Sequence, residues 1–283
     1  MNVTTEKKIQ SYNFRIDKNN YKNYYLFRYF PSFSMLEKFL KHGLYLTRAD
    51  KFSDNLECVN YNDLLEIKKN KDYVRLLPEH NPHLSDKEFQ YYINRSNRIL
   101  EELAVKIAEH QKKYFISCWY ISKQENENEL MWRSYGANCQ QNCKGFLVRV
   151  SLDDFIDELS KIESANPHIS KLIYGNVSYY DFNKENNIQK VKYTGFRKHE
   201  SFKDESEFRL ICYDNESTFN DNNYLELSRW FYEGIRISAH PEFSLTEYHD
   251  FRVNLESKFD VSLELSELYI WYKLKETLKN RIS

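Results

Sequence analysis

With 283 residues, only 6 of them glycine, and a formal net charge of −1, the chain lacks both the glycine supply of a phosphate-cradling loop and a global basic field for nucleic acid. Neither G-x-G-x-x-G nor G-x-x-x-x-G-K-[ST] occurs. Its 23 Tyr, 19 Phe and 4 Trp supply a sizeable core, and there is no apolar run of about 18 residues to cross a membrane.

Met1–Lys8 lead into no apolar stretch, so no signal peptide is expected. Residues 24–30 read as a first strand, ended by Pro31, which lacks a donor. Ser32 or Ser34 caps a short helix through about His42, with Met35, Leu36, Phe39 and Leu40 on one face and Gly43 at the C-cap. Leu44–Leu46 begin a second strand. Residues 55–70 and 85–113 read as helical, an insertion over the sheet. Residues 114–121 are a β-prone run, 129–135 a short helix, and Gly145 opens a strand to Val150. Ser151 with Asp154 caps a helix through about Ile162. Val177–Tyr180, Glu207–Cys212 and Ile235–Ser238 read as strands, 246–259 as a helix, and Leu268–Tyr272 as a last strand. Several strands follow one another without a long crossover. That favours an α+β fold with a mixed or antiparallel central sheet, as a single domain over 1–283 with a helical insertion at about 55–113.

Five cysteines (Cys58, Cys118, Cys139, Cys143 and Cys212) fit free thiols and a cytoplasmic protein. Cys139 and Cys143 are four apart, but no second pair completes a metal site, so isolated thiols are expected. His42, His199 and His240 have no partner pattern and read as surface or turn residues. Ser117 lies in no G-x-S-x-G motif.

Leu26–Tyr29, Gly43–Leu46, Phe52–Glu57, Ser117–Trp119, Leu130–Gly136, Lys144–Phe146 and Phe202–Leu210 occur in an order that resembles the bacterial and phage-associated domain of unknown function 2971 family. The resemblance runs from about residue 24 to 273. It departs from the family pattern at Ser53 and Asn55, and in the order Ser117-Cys118-Trp119. A more distant likeness is to ADP-ribosyltransferases, with Arg28, then the Ser117 strand or Tyr135, then Glu205-Ser206-Glu207 in that order. This analogy implies an ADP-ribosyltransferase-like fold and an NAD-using transferase that modifies a macromolecule. A toxin or anti-phage defence effector would suit the family's setting.

In that chemistry Glu207 would stabilise the positive ribosyl centre, and Glu205, two residues earlier on the same strand face, would orient or deprotonate the acceptor. Arg28 would grip a phosphate or ribose with its fork. Tyr135 is the fourth catalytic candidate. Tyr29, Ser117, Trp119, Trp132 and Arg209 join Arg28 as cofactor-binding candidates, with Trp132 and Tyr135 neighbours on one helical face and Arg209 orienting Glu207. Each has an ordinary structural alternative: a solvated Glu207 paired with Arg, an Arg28 ion pair with Glu57, Glu205 or Glu207, aromatic residues in the core, and Asp54 with Glu57 as helix caps.

Two other readings stay open. One is a non-catalytic module sensing a nucleotide or a protein. The other is a metal-dependent nuclease with Asp54, Glu57 and Glu207 around magnesium, although no D-x(n)-[ED]-x-K signature occurs. A macromolecular acceptor, a regulatory partner protein or a second copy of the chain is expected as partner, and no membrane. The enzymatic reading expects Arg28 and Glu207 on neighbouring strands and open to one cleft, and it falls if they are buried in separate places.

Overall fold

The computed structural model describes residues 9–12, 14, 16–54, 56–138, 143–165, 171–181, 193–213 and 223–282. An unforeseen short strand, β1 (Ile9–Ser11), precedes β2 (Tyr25–Phe30). Ser32 caps α1 (Phe33–His42) by accepting from the Met35 N–H at 3.4 Å. Gly43 ends α1 at φ 94°, where a side chain would also strike the Leu225 carbonyl. The strands β3 (Leu44–Tyr45) and β4 (Thr47–Arg48) follow.

Next comes a helical hairpin, α2 (Tyr61–His80) and α3 (Asp86–Gln111), the latter started by a Ser85–Glu88 capping box. Its base is tied by Gln111, whose Nε2 donates to the Glu57 carbonyl at 2.7 Å, and by Lys106 on Asp63 at 2.6 Å. Then come β5 (Tyr114–Ser122), α4 (Glu129–Tyr135), β6 (Ala137–Asn138), β7 (Cys143–Lys144) and β8 (Phe146–Ser151). Cys139 lies outside the described residues, as does Asn55. The helix α5 (Leu152–Ala165) leads to β9 (Leu172–Asn176), β10 (Ser178–Tyr180), β11 (Arg197–His199) and β12 (Glu207–Tyr213). The chain continues through β13 (Tyr224–Leu225), α6 (Arg229–Gly234), β14 (Arg236–Ala239), α7 (Leu245–Phe259), β15 (Leu263–Glu264) and α8 (Tyr269–Ile282).

The fold is α+β, as expected. Among the described residues the main sheet has nine strands in the order β1-β9-β12-β5-β2-β8-β14-β15, with β4 also paired to β5. The outer pairs β1–β9 and β14–β15 are parallel, and the inner pairs are antiparallel. Leu268–Tyr272 do not form the last strand; they enter α8, and β15 is the last strand. The run is aromatic and β-branched, which reads as β locally. Its apolar residues Ile270, Leu274 and Leu278 instead recur at the helical period, all exposed.

Strand alternation divides the core. Leu26 and Phe30 of β2, Trp119 of β5 and Phe208 and Leu210 of β12 pack with α1 and α5 in one large apolar cluster. On the other face the cover is split. One cluster holds Ile116, Ile211, Phe196 and Cys58. A second holds Phe27, Trp132 and Leu147. Polar residues of β5 and β12 lie between them.

The ladder itself is interrupted. The strand β2 pairs with β5 at Tyr25↔Ser122, Leu26↔Ile121 and Phe27↔Tyr120, and then only with β8. Beyond that point β5 is joined by β4, at Thr47↔Ile116 and Arg48↔Phe115. Between Arg28 and the Ser117–Trp119 stretch the sheet is open.

Candidate functional site

A cleft of about 260 Å³ occupies this opening. Arg28, Trp119, Cys118, Tyr135, Glu205 and Glu207 contribute to its wall, and Phe52 and Phe202 stand with them. By alternation Glu207, Tyr120 and Phe27 share one face of the sheet, while Arg28 belongs to the other. Only the gap between β2 and β5 lets the guanidinium and the carboxylates meet one space. Arg28 and Glu207 therefore line one cleft, but their strands are not neighbours: β5 runs between them.

The acidic wall is a chain of charges. Arg209 is fully buried and donates to both Glu207 oxygens, Nε to Oε1 at 2.8 Å and Nη2 to Oε2 at 3.0 Å. Its other edge grips Glu57 at 2.5 and 2.9 Å, and Nη1 also reaches the Gly195 carbonyl at 2.6 Å. Such forked pairs are the strong form of charge-assisted hydrogen bond. Lys198 bridges Glu205 and Glu207, the latter at 3.4 Å. Tyr135 donates to Glu205 Oε1 at 2.5 Å. The Glu207 backbone N–H donates to the Tyr179 hydroxyl at 2.9 Å.

These contacts set the ionisation. Burial works to raise the Glu207 carboxyl, but Arg209 and Lys198 outweigh it and hold it below the ordinary value. Burial wins at Glu57, which shares Arg209 but lies farther from Lys198, so that carboxyl is raised. Burial opposes the charge on Lys198, yet Glu207 and Glu205 keep it protonated, above its usual range. The Cys118 thiol is pushed up by burial and by the neighbouring Glu207 carboxylate, which removes it as a nucleophile at neutral pH.

The opposite wall is Arg28. Its Nη1 donates to the Ser117 hydroxyl and its Nη2 to the Tyr45 carbonyl at 3.1 Å. Its guanidinium carbon stands 5.7 Å from the Phe30 and Trp119 ring centroids. Burial draws its pKa down to about 10, against the pull of Cys118 and Tyr224, so it is still a cation at neutral pH. Among the described residues no carboxylate pairs with it. A cation of this kind recognises an anion.

Arg28, Tyr29, Trp119, Tyr135, Glu205 and Glu207 line the cleft. Ser117 is buried behind it, accepting from Arg28 and from Trp119 Nε1 at 3.0 Å, and so fixes the guanidinium without touching the cleft. Arg209 orients Glu207, as expected, but is sealed from the cleft and cannot hold a cofactor. Trp132 is a core residue, edge-on to Tyr29 at 5.0 Å with Nε1 on Glu127, so it does not share an outward face with Tyr135. The cause is the Phe27–Leu147 cluster, which draws the indole in. Asp54 closes its own turn, accepting from the Leu56 N–H at 2.9 Å, while Glu57 is no helix cap but half of the buried clamp. The Arg209 guanidinium fills the space between Glu57 and Glu207 that magnesium would need. Among the described residues no group of three His, Cys, Asp or Glu could hold a metal ion.

Lys198 was not foreseen. It lies in no motif, and its alternation with Glu205 and Glu207 spans two chain segments. His240, read as a surface or turn residue, is buried against Trp132.

The family model described as Protein of unknown function (DUF2971) matches residues 131–210. The matched span carries Tyr135, Lys198, Glu205, Glu207 and Arg209, but not the Arg28 strand or the Phe52–Glu57 turn. No curated protein and no solved structure matches the chain. No described helix is long and apolar enough to cross a membrane.

Proposed function

We propose that the cleft binds a nicotinamide dinucleotide and transfers its ADP-ribosyl unit to a macromolecule. One observation carries the reading: a half-buried cation with no carboxylate partner among the described residues, Arg28, faces an ionised carboxylate, Glu207, across a single small cleft. A ligand with a phosphate at one end and a positively charged ribosyl ring at the other matches that polarity. In the step proposed, the bond from ribose C1′ to the ring nitrogen breaks, and nicotinamide leaves neutral with the electron pair. The acceptor's nucleophilic atom bonds to C1′ and passes its proton to Glu205. Glu207 faces the charge that develops on the ribosyl ring, where a fixed carboxylate acts without reorganising. A role as a toxin or anti-phage effector rests on the family resemblance alone.

Labelled dinucleotide tests the reading. Purified protein added to a whole-cell extract should label itself, another protein or nucleic acid. Glu207→Gln should abolish the label, and Glu205→Gln, which leaves the Arg209 clamp whole, should reduce it by one to two orders of magnitude. Circular dichroism checks that both variants fold. Retained labelling in folded Glu207→Gln rejects the assignment.

A second reading has its own support: Arg209 and Lys198 already occupy both Glu207 oxygens, as in a structural clamp. The same cleft would then sense a nucleotide. That predicts a ligand-dependent rise in melting temperature with the dinucleotide recovered unchanged.

A further inference from the structure

The cleft, at about 260 Å³, falls below the ~300–1,000 Å³ of pockets that bury a drug-sized ligand. A dinucleotide does not fit in it whole, so its second half must leave past Arg28. Arg28 marks that exit. One arm of its fork bonds Ser117 beside the cleft, and the other bonds the Tyr45 carbonyl in an exposed setting.

Tyr45 begins an aromatic ladder. Its ring lies 5.1 Å from that of Tyr224, and Tyr224 lies 5.4 Å from His42, each pair tilted by about 50°, at 54° and 50°. The β3–β13 pairing, Tyr224↔Tyr45, fixes the first contact. Behind the ladder opens a second hollow of about 660 Å³, where Lys41, His42, Gly43, Tyr224 and Glu226 meet.

This hollow carries both signs of charge, with Lys38 and Lys41 on its wall beside Glu226. It sits at the C-terminal end of α1, where the last carbonyls lack intrahelical partners and the helix dipole is negative. Glu226 adds a carboxylate. The helix-end carbonyls and Glu226 can accept from a donor there. Adenine offers a flat face for stacking and an exocyclic amino group that donates.

We infer that, given the reading of the cleft as the nicotinamide–ribose site, the adenine of the same dinucleotide stacks on the Tyr45–Tyr224–His42 ladder, with the diphosphate crossing Arg28. The ladder is thus an adenosine subsite, and it separates full dinucleotides from nicotinamide mononucleotide.

Calorimetric titration of the full chain with AMP, nicotinamide mononucleotide and NAD tests this. Tyr224→Ala should weaken AMP and NAD about tenfold and leave the mononucleotide unchanged. Tyr224→Leu, which preserves an apolar residue in β13, should do the same if the alanine variant fails to fold. Equal weakening of AMP and the mononucleotide, or no weakening of AMP, overturns the inference. Wild-type protein that binds the mononucleotide but not AMP overturns the subsite and leaves the cleft's assignment standing. Binding of AMP alone, lost in the Tyr224 variants, keeps the subsite and overturns the cleft's assignment. Binding of neither overturns both.

Discussion

Two buried glutamates on the same side of the sheet have opposite surroundings. Glu127 is ringed by neutral donors: the Ser266 hydroxyl, Trp132 Nε1 at 2.8 Å and the Glu267 N–H at 3.3 Å. Burial therefore raises its carboxyl, and those hydrogen bonds offset only part of the rise. Glu207 is ringed by cations and is held low. Neutral donors fasten a carboxyl to the structure and let it take a proton. Cations fasten it and keep it charged, which is the state an electrostatic role needs. Only the second glutamate faces an opening.

The sharpest way to break this contrast is Arg209→Met. It would strand Glu57 and Glu207 without their shared cation, and removing one partner of a buried ion network costs about 3–5 kcal/mol. Urea unfolding should show a large loss of stability or no folded protein at all.

Acid probes the neutral side of the comparison. His240 stands edge-on to Trp132 at 5.1 Å, and its Nδ1 accepts from the Glu242 N–H at 3.2 Å, so the fold holds the uncharged ring. Burial, helped by Lys144, lowers its pKa from 6.5 to about 4. The unfolded chain then takes the proton first. Stability contributed by the neutral ring is whole above pH ~6.5 and is lost progressively as pH falls through about 4, on the order of 3 kcal/mol in all. Denaturation of wild type and His240→Phe between pH 4 and 7 should show a steeper acid loss in the wild type.

Glu127→Gln can keep an acceptor for Ser266 and Trp132 but sets an amide donor against the Glu267 N–H, and it should cost about 1 kcal/mol, with dinucleotide binding untouched. A binding defect in that variant would join the two glutamates into one functional unit. Tyr135→Phe is the gentlest test. Stability should shift by less than about 0.5 kcal/mol, while loss of the hydrogen bond to Glu205 should slow labelling about fivefold, ~1 kcal/mol in the barrier.

The elements that carry their own period were legible in the chain. The α4 helix over Glu129–Tyr135, the Ser32 cap and Gly43 at the end of α1 follow from local chemistry. So does the sharing of one face by Glu207 and Arg209. The gap between β2 and β5 was not legible, because a broken ladder leaves no mark on the alternation of either strand. Glu57 was hidden for another reason. It sits in a turn whose residues read as caps, and its partner lies 152 residues away. Trp132 and Tyr135 share a helical spacing but divide between core and cleft according to what packs against each, which spacing alone does not encode.

The tie between Gln111 and the Glu57 carbonyl means that the polypeptide enters and leaves its long helical arm through a single doorway. A short turn spliced between Asn60 and Gln111 should leave the Glu57 carboxylate on Arg209, so the two helices form an exchangeable limb on a fixed frame.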